Sequence, residues 1–219
     1  LVQELDKIET IDRFRISSIE PNLLRTSIIN FVAKSKRFVP HFHIPLQSGS
    51  DNLLKLMRRK YDTDLYRNRV ARIKEIMPNC CIGVDVIVGF PGETDEEFEK
   101  TLNFLKELDV SYLHVFTYSE RANTKALQIE AIVPIAKRRE RSKMLRILSE
   151  KKRRVFYGKF ENTQAEVLFE AENDEGVMYG FTKNYIKVGV PYQEEFVNTL
   201  QQVNLGELTK SGIMKGEVL

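Results

Sequence analysis

Two glycine-bearing loops and a handful of polar residues on apolar strands carry the chemistry this sequence can offer. The first loop is Pro45-Leu46-Gln47-Ser48-Gly49-Ser50-Asp51, running from a strand-like segment into a helical one. Gly49 permits close backbone approach, while Gln47, Ser48 and Ser50 supply donors and acceptors for a neutral polar ligand such as a ribose. A plain helix cap by Ser50 or Asp51 is the competing reading. The second loop is Gly89-Phe90-Pro91-Gly92-Glu93-Thr94. Its two glycines and proline make a stiff, approachable turn with Glu93 at its mouth, and Thr94 with Glu97 forms a capping box for the helix that follows. Strand exit plus cap accounts for this loop equally well. Both loops follow the carboxyl ends of strands, where parallel α/β folds keep their working residues.

Strand alternation yields a third constellation. With Phe42, Ile44 and Leu46 facing the helices, His41 and His43 point to the opposite face. By the same rule Asp85 stands against Val84 and Val86, and Arg15 against Phe14 and Ile16. With His114 these residues could share a barrel interior. One reading is a zinc site from His41, His43 and His114, since i, i+2 spacing on a strand is workable. A polar lining for cofactor and substrate is the favoured reading, and structural hydrogen bonding inside a barrel is the third.

Charge isolates one more segment. The chain has 34 Lys and Arg against 31 Asp and Glu, net +3, yet residues 137–154 hold ten basic and two acidic groups. Phosphates are the natural counterion of such a run, so nucleic acid is the first partner to consider, with Arg138, Lys151 and Arg154 as contacts. The plain alternative is a solvated helix face above Met144, Leu145, Leu148 and Val155. Residues 158–219 are net −5. Any phosphate contact there must be local, around Lys183, Lys187 and Lys210. Tyr179, Phe181, Tyr185 and Tyr192 could stack on bases, although barrel core is the commoner use of aromatics.

The elements that must position these residues can be read from periodicity. Apolar segments at 14–19, 41–46, 82–90 and 113–118 alternate with helical patterns at the spacing of βαβ units. Tyr66, Val70, Ile73 and Met77 share one helix face; Phe98, Leu102, Leu105 and Leu108 share another. The fold class is therefore α/β, a partial parallel (β/α) barrel over residues 1–133. A basic connecting helix follows at 134–157, then a small antiparallel β-barrel at 158–219 with strands at 163–169, 177–181, 185–190, 195–200 and 213–218. With 42% hydrophobic and 30% charged residues, the 219-residue chain has the composition of a globular protein. No apolar run approaches the ~20 residues of a membrane helix. The only cysteines, Cys80 and Cys81, are adjacent, which excludes a disulfide framework, makes a self-contained metal–sulfur site untenable and favours a reducing cytoplasm. The chain opens at Leu1 inside a helix-like stretch and reads as a piece of something longer.

In several stretches the sequence resembles the radical S-adenosylmethionine methylthiotransferases, which place sulfur and a methyl group on tRNA bases or a ribosomal protein. The matching residues are Arg15 to Pro21, His43 to Asp51, Leu56-Met57-Arg58-Arg59, Asp85 to Thr94 and His114 to Arg121, in the family's order. Ser17-Ser18-Ile19-Glu20-Pro21 and His41-Phe42-His43-Ile44-Pro45 look most like the branch acting on threonylcarbamoyladenosine beside the tRNA anticodon. The resemblance implies a radical-SAM barrel followed by a TRAM domain, a small OB-like barrel associated with RNA. It puts S-adenosylmethionine at Gln47 and Ser48 on one loop and at Gly89, Gly92 and Glu93 on the other, with Arg15, His43 and Asp85 lining the chamber. Arg138, Lys151, Arg154, Lys183 and Lys187 would meet the anticodon stem-loop. Two [4Fe-4S] clusters are implied too, but the Cys-x-x-x-Cys-x-x-Cys motif is missing, so their ligands and the first two barrel strands are expected before Leu1. Asn123 stands where many members have Gly, and Asn tolerates a left-handed turn. Another radical-SAM enzyme, such as the ribosomal-protein branch, and a cluster-free RNA-binding module are the alternatives.

Overall fold

The computed structural model describes residues 1–219. A short helix α1 (Val2–Leu5) precedes β1 (Phe14–Ile16), α2 (Thr26–Lys34), β2 (Phe38–His43), α3 (Asp51–Leu56), α4 (Thr63–Ile76), β3 (Cys81–Val88), α5 (Asp95–Glu107) and β4 (Tyr112–Thr117). The strands pair in the order β1-β2-β3-β4, every neighbour parallel. Helical crossovers are what parallel pairing requires. Oxygen caps fix three of the helix starts: Ser50 accepts from the Leu53 amide, Asp62 from Leu65 and Thr94 from Glu97. The helix side of the sheet is the main core, where Phe42, Ile44, Leu46, Ile82, Val84 and Val86 meet Tyr66, Ile73 and Leu105 with no exposed surface.

The strand boundaries differ from those read off the sequence, by one or two residues in β3 and β4 and by three in β1 and β2. β1 stops at Ile16, not Ile19, because its register on β2 shifts between Phe14 and Ile16. β2 begins at Phe38 and ends at His43. The chain beyond it still donates to β3 from Ile44 and Leu46, to the carbonyls of Gly83 and Asp85.

The long helix α6 (Ile135–Gly158) packs across β4. At 1.5 Å per residue it is about 36 Å long. Its inward face keeps Leu145 and Leu148 of the apolar set expected but neither Met144 nor Val155. Met144 is 41% and Val155 67% exposed, whereas Arg138, Arg141, Ser142, Leu145, Phe156 and Tyr157 are buried. The reason is what the helix meets: the 89–95 turn presents carboxylates and carbonyls, for which guanidinium groups are the matching partners.

The remaining strands β5 (Gln164–Asp174), β6 (Val177–Thr182), β7 (Lys187–Pro191), β8 (Leu200–Leu208) and β9 (Met214–Val218) close a barrel in the order β5-β6-β7-β9-β8. It is not wholly antiparallel, since β7 and β9 pair in parallel. Five strands cannot alternate direction around a closed ring, so one pair must run the same way. The strand expected at 195–200 is instead a 3-10 turn at Glu194–Phe196, with Asn198 left-handed at φ 57°, and β8 begins only at Leu200.

Polar contacts from three residues join the barrel to the sheet domain and α6. Arg13 donates to the carbonyls of Phe181 and Glu166 and to the Glu166 carboxylate at 3.1, 3.0 and 2.9 Å. Asn184 donates to the Asn79 carbonyl, and Arg154 reaches the Thr209 and Lys210 carbonyls. Cys81, at the start of β3, belongs to the same apolar cluster as Phe156, Tyr157 and the barrel interior.

Candidate active site

The face of the sheet opposite the helices gathers polar residues from adjacent strands. His43 Nε2 lies 2.8 Å from Asp85 Oδ1, and His114 Nδ1 lies 3.5 Å from the same oxygen. The register explains this meeting: Asp85 of β3 pairs with His114 of β4, and His43 of β2 sits one strand away opposite Gly83. Burial lowers the His114 pKa, as does His43, against the pull of Asp85. His41 does not join this trio as the zinc reading required, because its Nε2 faces the Tyr112 hydroxyl at 3.1 Å. Burial, then the charges of Arg15, His43 and His114, depresses His41 to a pKa of about 3, so its ring is neutral. Its Nδ1 is buried without a partner.

Two tyrosines that the sequence reading did not place in the chamber complete this face. The Tyr112 ring crosses over Gly83, where a Cβ would come within 2.4 Å of it. A lone glycine in the middle of an apolar strand is the signal that could have announced this approach. Tyr185, left-handed at φ 65°, enters from the barrel, with its ring 4.5 Å from that of His41 and 4.6 Å from that of Phe181. The Arg15 guanidinium lies 4.3 Å above it. They border the face at the end where the strands begin, beside a cavity of about 260 Å³ that Arg15, Phe181 and Tyr185 line.

Those loops are built more tightly than their composition suggested. Gln47 is left-handed at φ 68°, accepts from the Ile87 amide at 2.9 Å and donates to the Asp85 carbonyl at 2.8 Å. Ser48 is fully buried; its hydroxyl lies 3.1 Å from that of Thr101 and accepts from the Ser50 amide, so it holds the loop together. A Cβ on Gly49 would stand 2.8 Å from the Thr101 Cα, which explains the glycine. On the second loop Glu93 turns inward. Its carboxylate accepts from the Gly89 amide at 2.8 Å and from Arg141 at 2.6 Å, with burial pushing its pKa up against both donors. Gly89 has φ +77°, and a Cβ there would meet Arg138 Cγ at 2.3 Å. Gly92, at φ +89°, donates to the Ala131 carbonyl. Beside both loops lies a cavity of about 580 Å³, lined by Leu56, Arg58, Arg59, Ile87, Phe90, Tyr118 and the 125–129 turn.

The cations of α6 divide into two groups. Arg138, one of the phosphate contacts expected from the sequence, is instead buried and donates to the Val133 and Tyr118 carbonyls and to the Glu120 carboxylate. Arg154 is tied to the barrel, as described above. Lys151 is exposed. Arg139, Lys143 and Arg146, spaced at i, i+4 and i+7, line an open groove of about 510 Å³ beside Thr117. Lys183 pairs with Glu166 at 3.1 Å, and Lys187 lies 4.1 Å over the Tyr179 ring. Asn123 is left-handed at φ 65°.

The chain's thiols do not fit an iron–sulfur cluster. Cys80 and Cys81 are buried in two different apolar clusters, and burial raises both pKa values, that of Cys81 to about 12. The cavity, with its aromatic wall, has the size for a nucleoside-sized cofactor and takes Phe90 from the second loop, but Gln47, Ser48, Gly89, Gly92 and Glu93 are not among its lining residues.

Residues 1–105 match the radical SAM superfamily. The chain is 39% identical over 210 residues to the threonylcarbamoyladenosine tRNA methylthiotransferase MtaB of Bacillus subtilis (strain 168), covering 94% of this chain and 47% of that protein. It is 36% identical over 225 residues to the tRNA-2-methylthio-N(6)-dimethylallyladenosine synthase of the same organism, covering 100% of this chain and 43% of the relative. The chain thus spans about half the length of these relatives. Among solved structures, Escherichia coli coproporphyrinogen III oxidase (HemN), described as a radical SAM enzyme, superposes with a TM-score of 0.54 at 14% identity, over 83% of this chain and 52% of that one.

Proposed function

From the premise that this chain belongs to the radical SAM superfamily and is homologous to tRNA methylthiotransferases, we propose that its protein methylthiolates threonylcarbamoyladenosine beside the tRNA anticodon. The observation that carries this reading is the 39% identity across 94% of the chain to an enzyme named for that nucleoside. A second substrate, dimethylallyladenosine, is favoured by relatives at 35–36% identity that align over the whole chain. The terminal barrel is a TRAM module in this reading, and the setting is the cytoplasm. No helix is long and apolar enough to cross a membrane.

Gln47 and Gly92 on the two loops, with Phe90, would hold S-adenosylmethionine, which when bound would supply the methyl group and the radical chemistry. Ser48, Gly89 and Glu93 keep those loops in shape through the contacts described above. Below them Asp85 and His43 line the chamber, with Arg15 and Tyr185 at its lower end. Phosphates of the anticodon stem-loop meet Arg139, Lys143, Arg146 and Lys151, with Lys183 and Lys187 as a second patch. The two [4Fe-4S] clusters of the family find no ligands in this chain and take them from elsewhere in the whole protein.

The test is nucleoside mass spectrometry of tRNA from a host lacking its own methylthiotransferases and expressing the whole protein. Methylthio-threonylcarbamoyladenosine is the expected product. The dimethylallyl counterpart alone would select the second substrate, and neither product would reject the activity.

A further inference from the structure

We propose that His43, Asp85 and His114 form a binding site for one divalent transition-metal ion on the open face of the sheet, distinct from any iron–sulfur cluster. Their ligand atoms lie within 4.8 Å of one another. Bonds of roughly 2.0–2.2 Å from nitrogen and carboxylate oxygen bring ligand atoms to about 3–3.5 Å apart around one ion. The separations of 2.8 and 3.5 Å to Asp85 Oδ1 already bracket that range, so side-chain rotation alone completes the site.

The three residues come from three neighbouring parallel strands, whose hydrogen-bonded ladder fixes their spacing. Ligands on strands are placed more accurately than ligands on loops. The charge pattern points the same way. Arg13, Arg138 and Arg141 each pair with a carboxylate other than Asp85, and no Lys or Arg lies within ion-pair distance of Asp85. A carboxylate flanked only by two imidazoles is a donor set for a cation. Two nitrogens and one oxygen suit zinc, cobalt, nickel or ferrous iron over magnesium or calcium. His114 is half exposed, which opens an entry path, and three protein ligands leave positions free toward the chamber. An ion there would present a Lewis acid to a small oxygen or sulfur donor. The site does not depend on the activity proposed above.

Titration of the 219-residue chain with Co²⁺ tests it. One ion per chain is expected, with ligand-field absorption in the visible that Zn²⁺ abolishes and no thiolate band, because both cysteines are buried. Asp85→Asn and His114→Ala should each weaken binding at least about tenfold while circular dichroism melts stay close to the parent's. Anomalous scattering from crystals soaked in Co²⁺ locates the ion however the variants fold. No binding at millimolar Co²⁺, unchanged affinity in both variants, a thiolate band, or an ion found elsewhere would each overturn the proposal.

Discussion

Buried arginines set the shape of the second loop, and single substitutions there should show it. Arg141 holds the Glu93 carboxylate where almost no water reaches, their side chains being 4% and 1% exposed. Arg141→Ala would strand that charge, and breaking such a pair from one side costs about 3–5 kcal/mol. Denaturant melts of the variant should register a loss of that size. At Gly89 a methyl group meets both a positive φ and the Arg138 stem. Gly89→Ala should therefore destabilise by on the order of 1–3 kcal/mol from backbone strain alone. Gln47→Ala is of another kind, because the loop is held by the Gln47 backbone. It should leave melting nearly unchanged while weakening S-adenosylmethionine binding by about 1 kcal/mol, the worth of one polar contact, as calorimetry would read.

The helix α6 does two jobs with one residue type. Its buried Arg141 fastens the 89–95 turn and its buried Arg138 ties Val133, Tyr118 and Glu120, while Lys152 donates to the Leu108 and Lys106 carbonyls where α5 ends, a favourable place for a cation. Burial lowers the pKa of that ammonium, against Asp109. The outer stripe of Arg139, Lys143 and Arg146 is left facing solvent. Reversing those three charges to Glu should weaken tRNA binding and lower the log–log salt slope by about 0.7–0.9 per lost contact, with little change in melting. Arg138→Glu should do the opposite in stability, because it places two carboxylates beside each other under the helix. A salt series and a melt on each variant separate the two faces. A silent outer stripe would reduce it to a solvated surface.

Across the whole molecule the sheet and the barrel form one unit through a small polar and aromatic seam. Arg13, then Lys183, hold the Glu166 carboxyl below its ordinary value of 4.5. A lowered carboxyl pKa contributes stability above the unfolded value and loses it as pH falls through the folded one. The melting difference between the parent and Glu166→Gln should thus be present at neutral pH and fade as pH falls below the ordinary carboxyl range, through the lowered pKa of the folded state. Because the Glu166 side chain is still 30% exposed and screened by solvent, the pair contributes at most about 1 kcal/mol. A difference that grew on acidification would mean that Arg13 binds the barrel mainly through carbonyls.

Local periodicity determined a good deal on its own. Alternation put Phe42, Ile44 and Leu46 in the core and His43 and Asp85 on the opposite face, because a strand's side-chain period is fixed by its backbone. The glycines and caps of the two loops were equally legible, since each answers a local conformational demand. Only the tertiary structure decided where long polar side chains went. Helical spacing shows that Arg138, Arg141 and Leu145 share a face, but their partners at Tyr118, Glu120 and Glu93 lie 18 to 48 residues away in sequence. Whether such a stripe meets solvent, phosphate or a buried carboxylate is set by what packs against it. The same holds for Tyr185, which reaches His41 and Arg15 only because the barrel closes, with its one parallel pair, against the end of the sheet where the strands begin.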